Sequence, residues 1–295
     1  MFTTFKHTKY LPQIIFLIAV LFSLPAFANS FGDVDVGIVS DDNLTRSDYD
    51  PDKKSGSSIE LFVDYGKFYN LENNWSATAL IFAQYSDNND FSKLSTLSYG
   101  LSGSFRKKLA LGAYSSSLQA SVTFTVNDVD DDKRANNTLD LDFSWSKRLD
   151  DIWELSAGIS LDDTSADNSV FDVSGTTLFV SADYTINEAL LLTFGISQRS
   201  GDIISVTNPT TNPNEAIWNY LSLASGGNNI SDTVFGAGLT AYRLDAKTQI
   251  FKVALSYAMN DDSSINAVYE YQDSSLDYGI NYENNIFRVN YIYSF

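Results

Sequence analysis

From Ile286 to Phe295 the chain reads IFRVNYIYSF, with Phe287, Val289, Tyr291, Tyr293 and Phe295 apolar or aromatic at every second position. Arg288, Asn290 and Ser294 fall between them, and only Ile292 breaks the alternation. Successive side chains of a strand point to opposite faces, so this segment is predicted to be a strand with one greasy face and one mostly polar face.

The same two-residue period recurs along the chain and predicts eleven further strands. Nine of them are read near Val34–Ile38, Ile59–Gly66, Trp75–Tyr85, Leu97–Phe105, Leu118–Thr125, Leu139–Ser146, Trp153–Leu161, Leu178–Tyr184 and Leu190–Ile196. The other two are Thr248–Met259 and Ile265–Gln272. Trp75–Tyr85 is apolar on both faces, so the pattern does not orient it. Between Arg199 and about Arg243 the alternation lapses, and a long loop over about 200–244 is expected, folding over or into whatever the strands enclose. Val234–Tyr242 has strand character but is assigned to this loop, because including it makes the count odd.

The N-terminus reads as a processing segment. Lys6 and Lys9 precede the apolar run Ile14–Leu24, and Pro25-Ala26-Phe27-Ala28 supplies an A-x-A site, so residues 1–28 are expected to be a signal peptide and 29–295 the exported domain. There is no cysteine, so an exported fold stands without disulfides. Without Lys6 and Lys9 the formal charge moves from −18 to −20, which argues against nucleic acid or an anionic lipid surface as a partner.

The terminal strand closing on Phe295 resembles the last strand of Gram-negative outer-membrane β-barrel proteins of the porin-like kind. The resemblance implies that Phe287, Val289, Tyr291, Tyr293 and Phe295 form the signal read by the barrel-assembly machinery, and that outer-membrane lipid surrounds the protein. The competing reading is an edge strand of a soluble sandwich. The even strand count favours the barrel, as does the placing of Trp75, Trp145 and Trp153 beside short turns, where amphipathic rings sit at a lipid interface. The expected fold is therefore all-β: a transmembrane antiparallel up-and-down barrel of about twelve strands, with short periplasmic turns and longer extracellular loops. Closure has a physical cause, since an unpaired backbone group in hydrocarbon costs several kcal/mol and a spanning sheet cannot keep an edge.

The only histidine is His7, inside the expected leader. Ser–His hydrolysis thus lacks its base, and zinc and copper lack their usual ligands, so neither an enzyme nor a cofactor or metal is expected. Paired carboxylates at Asp41–Asp42, Asp130–Asp132 and Asp162–Asp163 are read as solvated loop tips. Asp128, Asp130, Asp131 and Asp132 cluster oxygen ligands but lack the glycine and distal Glu of an EF-hand.

If the apolar parity faces lipid, the opposite parity turns Asp35, Glu60, Asp64, Asp140, Asp142, Glu154, Asp183 and Glu270 inward, with Arg106, Arg199, Lys252 and Arg288. These are the candidate pore-lining residues. They read either as the wall of a passive porin-like channel for small polar or cationic solutes, or as a network of paired charges filling a narrow barrel. The alternative function is a non-transporting surface receptor or adhesin, or an accessory barrel for polymer export, suggested by the aromatic residues Trp218, Tyr220 and Phe235 of the long loop.

Overall fold

The computed structural model describes residues 30–209, 221, 223, 225–276 and 280–295. The expected signal peptide, and Trp218 and Tyr220, lie outside the described residues. Thirteen strands form one antiparallel sheet: β1 (Ser30–Asp41), β2 (Gly56–Asn70), β3 (Trp75–Asn88), β4 (Thr96–Lys108), β5 (Ser117–Val129), β6 (Asn136–Arg148), β7 (Trp153–Ala166), β8 (Val173–Asn187), β9 (Leu190–Thr207), β10 (Asn229–Asp232), β11 (Leu239–Asn260), β12 (Ser263–Leu276) and β13 (Asn281–Ser294). Each strand of the ring pairs with its neighbour in the chain, β9 pairs with β11, and β13 returns to β1. The result is a closed twelve-stranded up-and-down barrel, with β10 attached outside the ring to the edge of β11.

The seam runs from Asp33 opposite Ser294 to Asp41 opposite Ile286. It is completed by Phe295, whose N–H donates to the Gly32 carbonyl at 2.9 Å and whose carbonyl accepts from Gly32 N–H at 3.1 Å. The Phe295 ring lies flat on Gly32, where a Cβ would fall 2.6 Å from Cζ. No edge is left between the first and last strands, which is the condition a sheet in hydrocarbon has to meet.

Alternation sorts the side chains as the apolar pattern requires. Ile38, Leu101, Phe105, Leu178, Val180 and Ile196 stand 56–60% exposed on the outer wall, although they lie in mid-strand. Aliphatic and aromatic residues this bare over a whole circumference mark a wall made for lipid. In β3 the outer face is Trp75, Ala77, Ala79 and Ile81, while Phe82 turns inward to stack on Phe62, ring centres 5.8 Å apart. Trp75 and Trp153 each open a strand at the end carrying the short connections. Lys107 Nζ lies 5.0 Å over the Trp75 ring there, and Tyr184 packs 4.7 Å from Trp153. One of these connections is a tight turn with Asn73 and Asn74 at φ of 58° and 62°, the left-handed pair a two-residue hairpin turn requires.

A spanning strand needs about 9–11 residues, and the ring strands here run from 12 to 22. The surplus lies at the other end. There β9 continues past its expected limit of Ile196 to Thr207, and β11 begins at Leu239 instead of Thr248. Ser200–Thr207 and Leu239–Leu244 are therefore strand rather than loop, and Leu239–Tyr242 joins a strand without disturbing the count, because it extends β11. Periodicity fails there because both faces of this hairpin are covered. β12 and β13 likewise reach Leu276 and start at Asn281, so the last connection at this end is short.

At Gly201 β9 leaves the wall. Its φ is +148°, and a Cβ would meet the Ser174 carbonyl at 2.2 Å, so only glycine fits the bend. Up to Gly201 the strand pairs with β8, whereas Asp202–Thr207 pairs only with Asp245–Thr240 of β11. β11 in turn leaves β12 above Ala246 and takes β10 on that edge. The three pieces form a small sheet, the lid, which leans across the mouth of the barrel.

Candidate functional site

The lumen and the lid together form the candidate site. All twelve expected lining residues occupy the strand face opposite the apolar belt, because strict alternation carries each of them there. Their partners are mostly neutral. Asp142 accepts from Ser121 Oγ at 3.3 Å and Ser160 Oγ at 2.5 Å, Asp183 from Thr193 Oγ1 at 2.6 Å, and Asp35 from Asn290 Nδ2 at 2.7 Å. Arg106 donates to Ser117 Oγ at 3.0 Å, and Gln272 Nε2 donates to Glu270 at 2.5 Å. Lys252 and Glu270 are direct cross-strand neighbours on β11 and β12.

Two ion pairs within the wall are described: Arg199 to Asp162 at 2.6 Å, and Arg288 to Glu60 at 3.8 Å. Asp162 corrects the sequence reading. It was expected at a loop tip beside Asp163, but β7 runs on to Ala166 and turns Asp162 into the lumen beside Asp140. Asp33 is a further inward carboxylate that the reading missed, accepting from Ser294 Oγ at 2.5 Å. Strict two-residue counting from Asp35 reaches it.

Apart from Glu270 on β12, the acidic residues fall mainly on two walls. Asp33, Asp35, Glu60 and Asp64 are on β1 and β2; Asp140, Asp142, Glu154, Asp162 and Asp183 are on β6, β7 and β8. β7 stands six places from β1 in a ring of twelve, so the two groups face each other across the lumen. The wall between them, on β4 and β5, carries Ser98, Ser102, Ser104, Ser121, Thr123 and Thr125. Between the β13 and β3 sides of the first acidic wall lies a cavity of about 350 Å³ lined by Asp35, Glu60, Phe62, Gln84, Arg288 and Asn290. Large inward rings are laid flat on glycine: Phe82 on Gly100 and Phe179 on Gly158, directly opposite each other across strand pairs. A Cβ at either glycine would meet the ring at 2.6 Å. The glycines thus let aromatic side chains hug the wall instead of projecting across the lumen.

Above this polar trunk the mouth is covered. The lid touches every other connection at its end. Toward the β1–β2 loop, Val206 N–H donates to the Thr45 carbonyl at 2.7 Å, Ser205 Oγ to the Arg46 carbonyl at 2.8 Å, and Thr207 Oγ1 and Asn208 N–H to the Asp52 carboxylate at 2.5 and 2.7 Å. Toward the β3–β4 loop, Lys93 Nζ donates to Thr233 at 3.2 Å. From the β5–β6 loop, Lys133 Nζ donates to the Ser231 carbonyl at 3.3 Å and Arg134 pairs with Asp232. Arg243 reaches the Ser169 and Asp172 carbonyls of the β7–β8 loop at 3.0 and 3.1 Å.

Both lid faces are packed. Val206, Leu239, Ala241 and Phe235 bury against Val170, Phe171, Phe91 and Leu94; Ile203, Tyr242 and Leu244 bury against Leu276, Ile280 and Tyr282. The lid is thus a sheet with a core on each face. The β1–β2 loop lies under it: Asn43, Thr45 and Ser47 are buried, and Arg46, at φ 44°, sits within electrostatic reach of Asp41 and Arg199. Burial lowers the Arg46 guanidinium from its ordinary range, with Asp41 opposing, and burial raises the Asp48 carboxyl.

Sequence reasoning missed this loop and the Arg134 contact. The run Ile203-Ile204-Ser205-Val206-Thr207, β-branched at four of five positions, was the available signal. Of the acidic cluster at 128–132, Asp131 turns to Arg134 at 2.6 Å. Among the described residues no three acidic side chains converge as metal ligands.

No family model and no curated protein matches the sequence. Among solved structures, an outer-membrane channel from Pseudomonas putida F1 aligns with a TM-score of 0.59 and 13% identity, covering 92% of this chain and 97% of that one. The KdgM porin, in a complex with disordered oligogalacturonate, aligns with a TM-score of 0.48 and 11% identity over 89% of this chain and 99% of that one. At these identities the likeness to the Pseudomonas protein is one of fold.

Proposed function

We propose that the chain is an outer-membrane channel of the porin-like kind, passing small polar or cationic solutes, with the lid closing its extracellular mouth. The observation that carries this reading is the lumen's unbalanced charge. Eleven inward strand carboxylates face six inward bases, counting Asp41, Lys108 and Arg148 at the strand ends, and the two ion pairs described in the wall leave most of the acids hydrogen-bonded only to hydroxyls and amides. A filled barrel would match its charges, since unpaired buried charge is costly. A wall of carboxylates and hydroxyls instead suits hydrated cations. Export and insertion by the barrel-assembly machinery, lipid around the belt, and short turns toward the periplasm complete the reading.

The closed lid favours a second reading, a surface receptor or adhesin that passes nothing. Single-channel recording in planar bilayers separates them. A channel is expected to show conductance steps, rare in the native protein and frequent once the lid is unlatched by Arg134→Ala. Absence of steps from well-folded protein of both forms would refute conduction and leave the receptor.

A further inference from the structure

The outer wall between β4 and β8 is interrupted by small residues. Ala120 lies between Phe105 and Phe143 in one cross-strand row, and Ala157 follows Trp145 in the next. They form the floor of an open apolar groove of about 710 Å³, which ends, on the short-turn side, at Trp75 and Lys107.

Lys107 is the unexpected member. An ammonium on the lipid face is costly at mid-membrane and nearly free at the interface. Lys107 occupies the penultimate position of β4, donates to the Asn73 carbonyl of the neighbouring turn and lies over the Trp75 ring, so its charge is held at the level of the turns. Lys147 shares this outward face two residues beyond Trp145 on β6, and Lys67 on β2 lies 5.6 Å from the Tyr69 ring. In a chain of net charge −18, outward lysines on β2, β4 and β6 thus stand at one end and on one side of the ring.

A groove of hydrocarbon character capped by a cation at headgroup depth matches a molecule that carries an anion above an acyl chain. We propose that this groove holds one glycerophospholipid, its chain lying over Ala120 and Ala157 and its phosphate at Lys107. The site needs the barrel to stand in a bilayer but does not depend on conduction.

Native mass spectrometry tests it on the full-length protein, delipidated in mild detergent and titrated with palmitoyl-oleoyl phosphatidylglycerol. One lipid per chain is expected to be retained at saturation. Lys107→Glu is expected to weaken retention about tenfold by replacing attraction with repulsion, and Ala157→Leu to weaken it by filling the groove. Heat-modifiable gel mobility checks that each variant is a folded barrel; if Ala157→Leu is not, Lys107→Glu decides alone. Retention by Lys107→Glu within about twofold of the native chain, unsaturable uptake of many lipids, or lipid-free multiples of the chain showing a second copy in the groove would each overturn the proposal.

Discussion

The guanidinium of Arg134, on the β5–β6 loop, pairs with the carboxylate of Asp232 in the lid, and that carboxylate is wholly buried. The same guanidinium holds Asp131 and lies 4.3 Å over the Phe171 ring and 5.9 Å from Phe235, so one side chain ties two loops to the lid. Arg134→Ala strands the Asp232 charge in the packed interface, a change that costs about 3–5 kcal/mol where a buried pair is broken. Hydrogen exchange is expected to accelerate across Asn229–Asp232 while the trunk strands stay protected. Adding Asp232→Asn removes the stranded charge, keeps an acceptor for Val234 N–H (2.7 Å in the native chain), and is expected to restore most of the protection.

Asp52 anchors the end of β9 from the opposite side through Thr207 and Asn208. Asp52→Ala removes both bonds, each worth about 1.5–3 kcal/mol when the acceptor is charged. Protease cleavage near Thr207 should become faster, with unchanged heat-modifiability of the barrel. Equal cleavage rates would assign the anchoring to the backbone bond from Val206 to Thr45.

The Asp48 carboxyl beneath the lid is raised above its ordinary 3.8 chiefly by burial, with Lys53 opposing and Asp52 adding to the rise; the Tyr282 phenol also faces it. A carboxyl with a raised folded value binds its proton more tightly in the closed loop than in the open one. Closure is thus strongest below the ordinary value and weakens as pH rises through the folded one. Acidification from neutral pH is expected to lower open probability, and Asp48→Asn to lower it already at neutral pH while flattening this part of the pH response. Parallel pH profiles in the two proteins would show that another group is responsible.

Asp140 and Asp142 belong to the acidic wall, with Asp142 hydrogen-bonded to two serines. Replacing both by Asn should move the reversal potential in a salt gradient toward zero, whereas Arg288→Gln, which frees Glu60, should move it toward stronger cation preference. An unchanged potential in the double variant would remove these residues from the conduction path.

At Gly158 a Cβ would fall 2.4 Å from the Phe143 carbonyl as well as on the Phe179 ring. Gly158→Ala is therefore expected to destabilise the barrel by about 1–3 kcal/mol, the usual range for overpacking. The readout is a lower temperature for the heat-induced gel shift.

The trunk was legible because each of its strands meets lipid on one side and water on the other, so the sequence had to alternate. Leu139 to Ser146 shows this without exception. The lid was illegible for the converse reason. Ile203 and Ile204 are neighbours that enter different cores, and Leu239, Ala241, Tyr242 and Leu244 crowd apolar groups onto both faces. A buried two-sided strand has no period to find. Asp162 was misplaced by the same logic, since a paired acid, Asp163, imitates a loop when only its outward member is solvated. The Arg134–Asp232 contact joins residues 98 positions apart and left no local trace.

The seam between β1 and β13 has a kinetic meaning. Within the ring every other strand pair is formed by neighbours in sequence, and each can zip from its own connection. Joining Asp41 to Ile286 instead encloses nearly the whole described chain, so its loop-closure entropy is the largest in the molecule. Until Phe295 settles on Gly32, two full-length strand edges stand open to any other unpaired chain. Rapid closure at that one place separates a barrel from an aggregate.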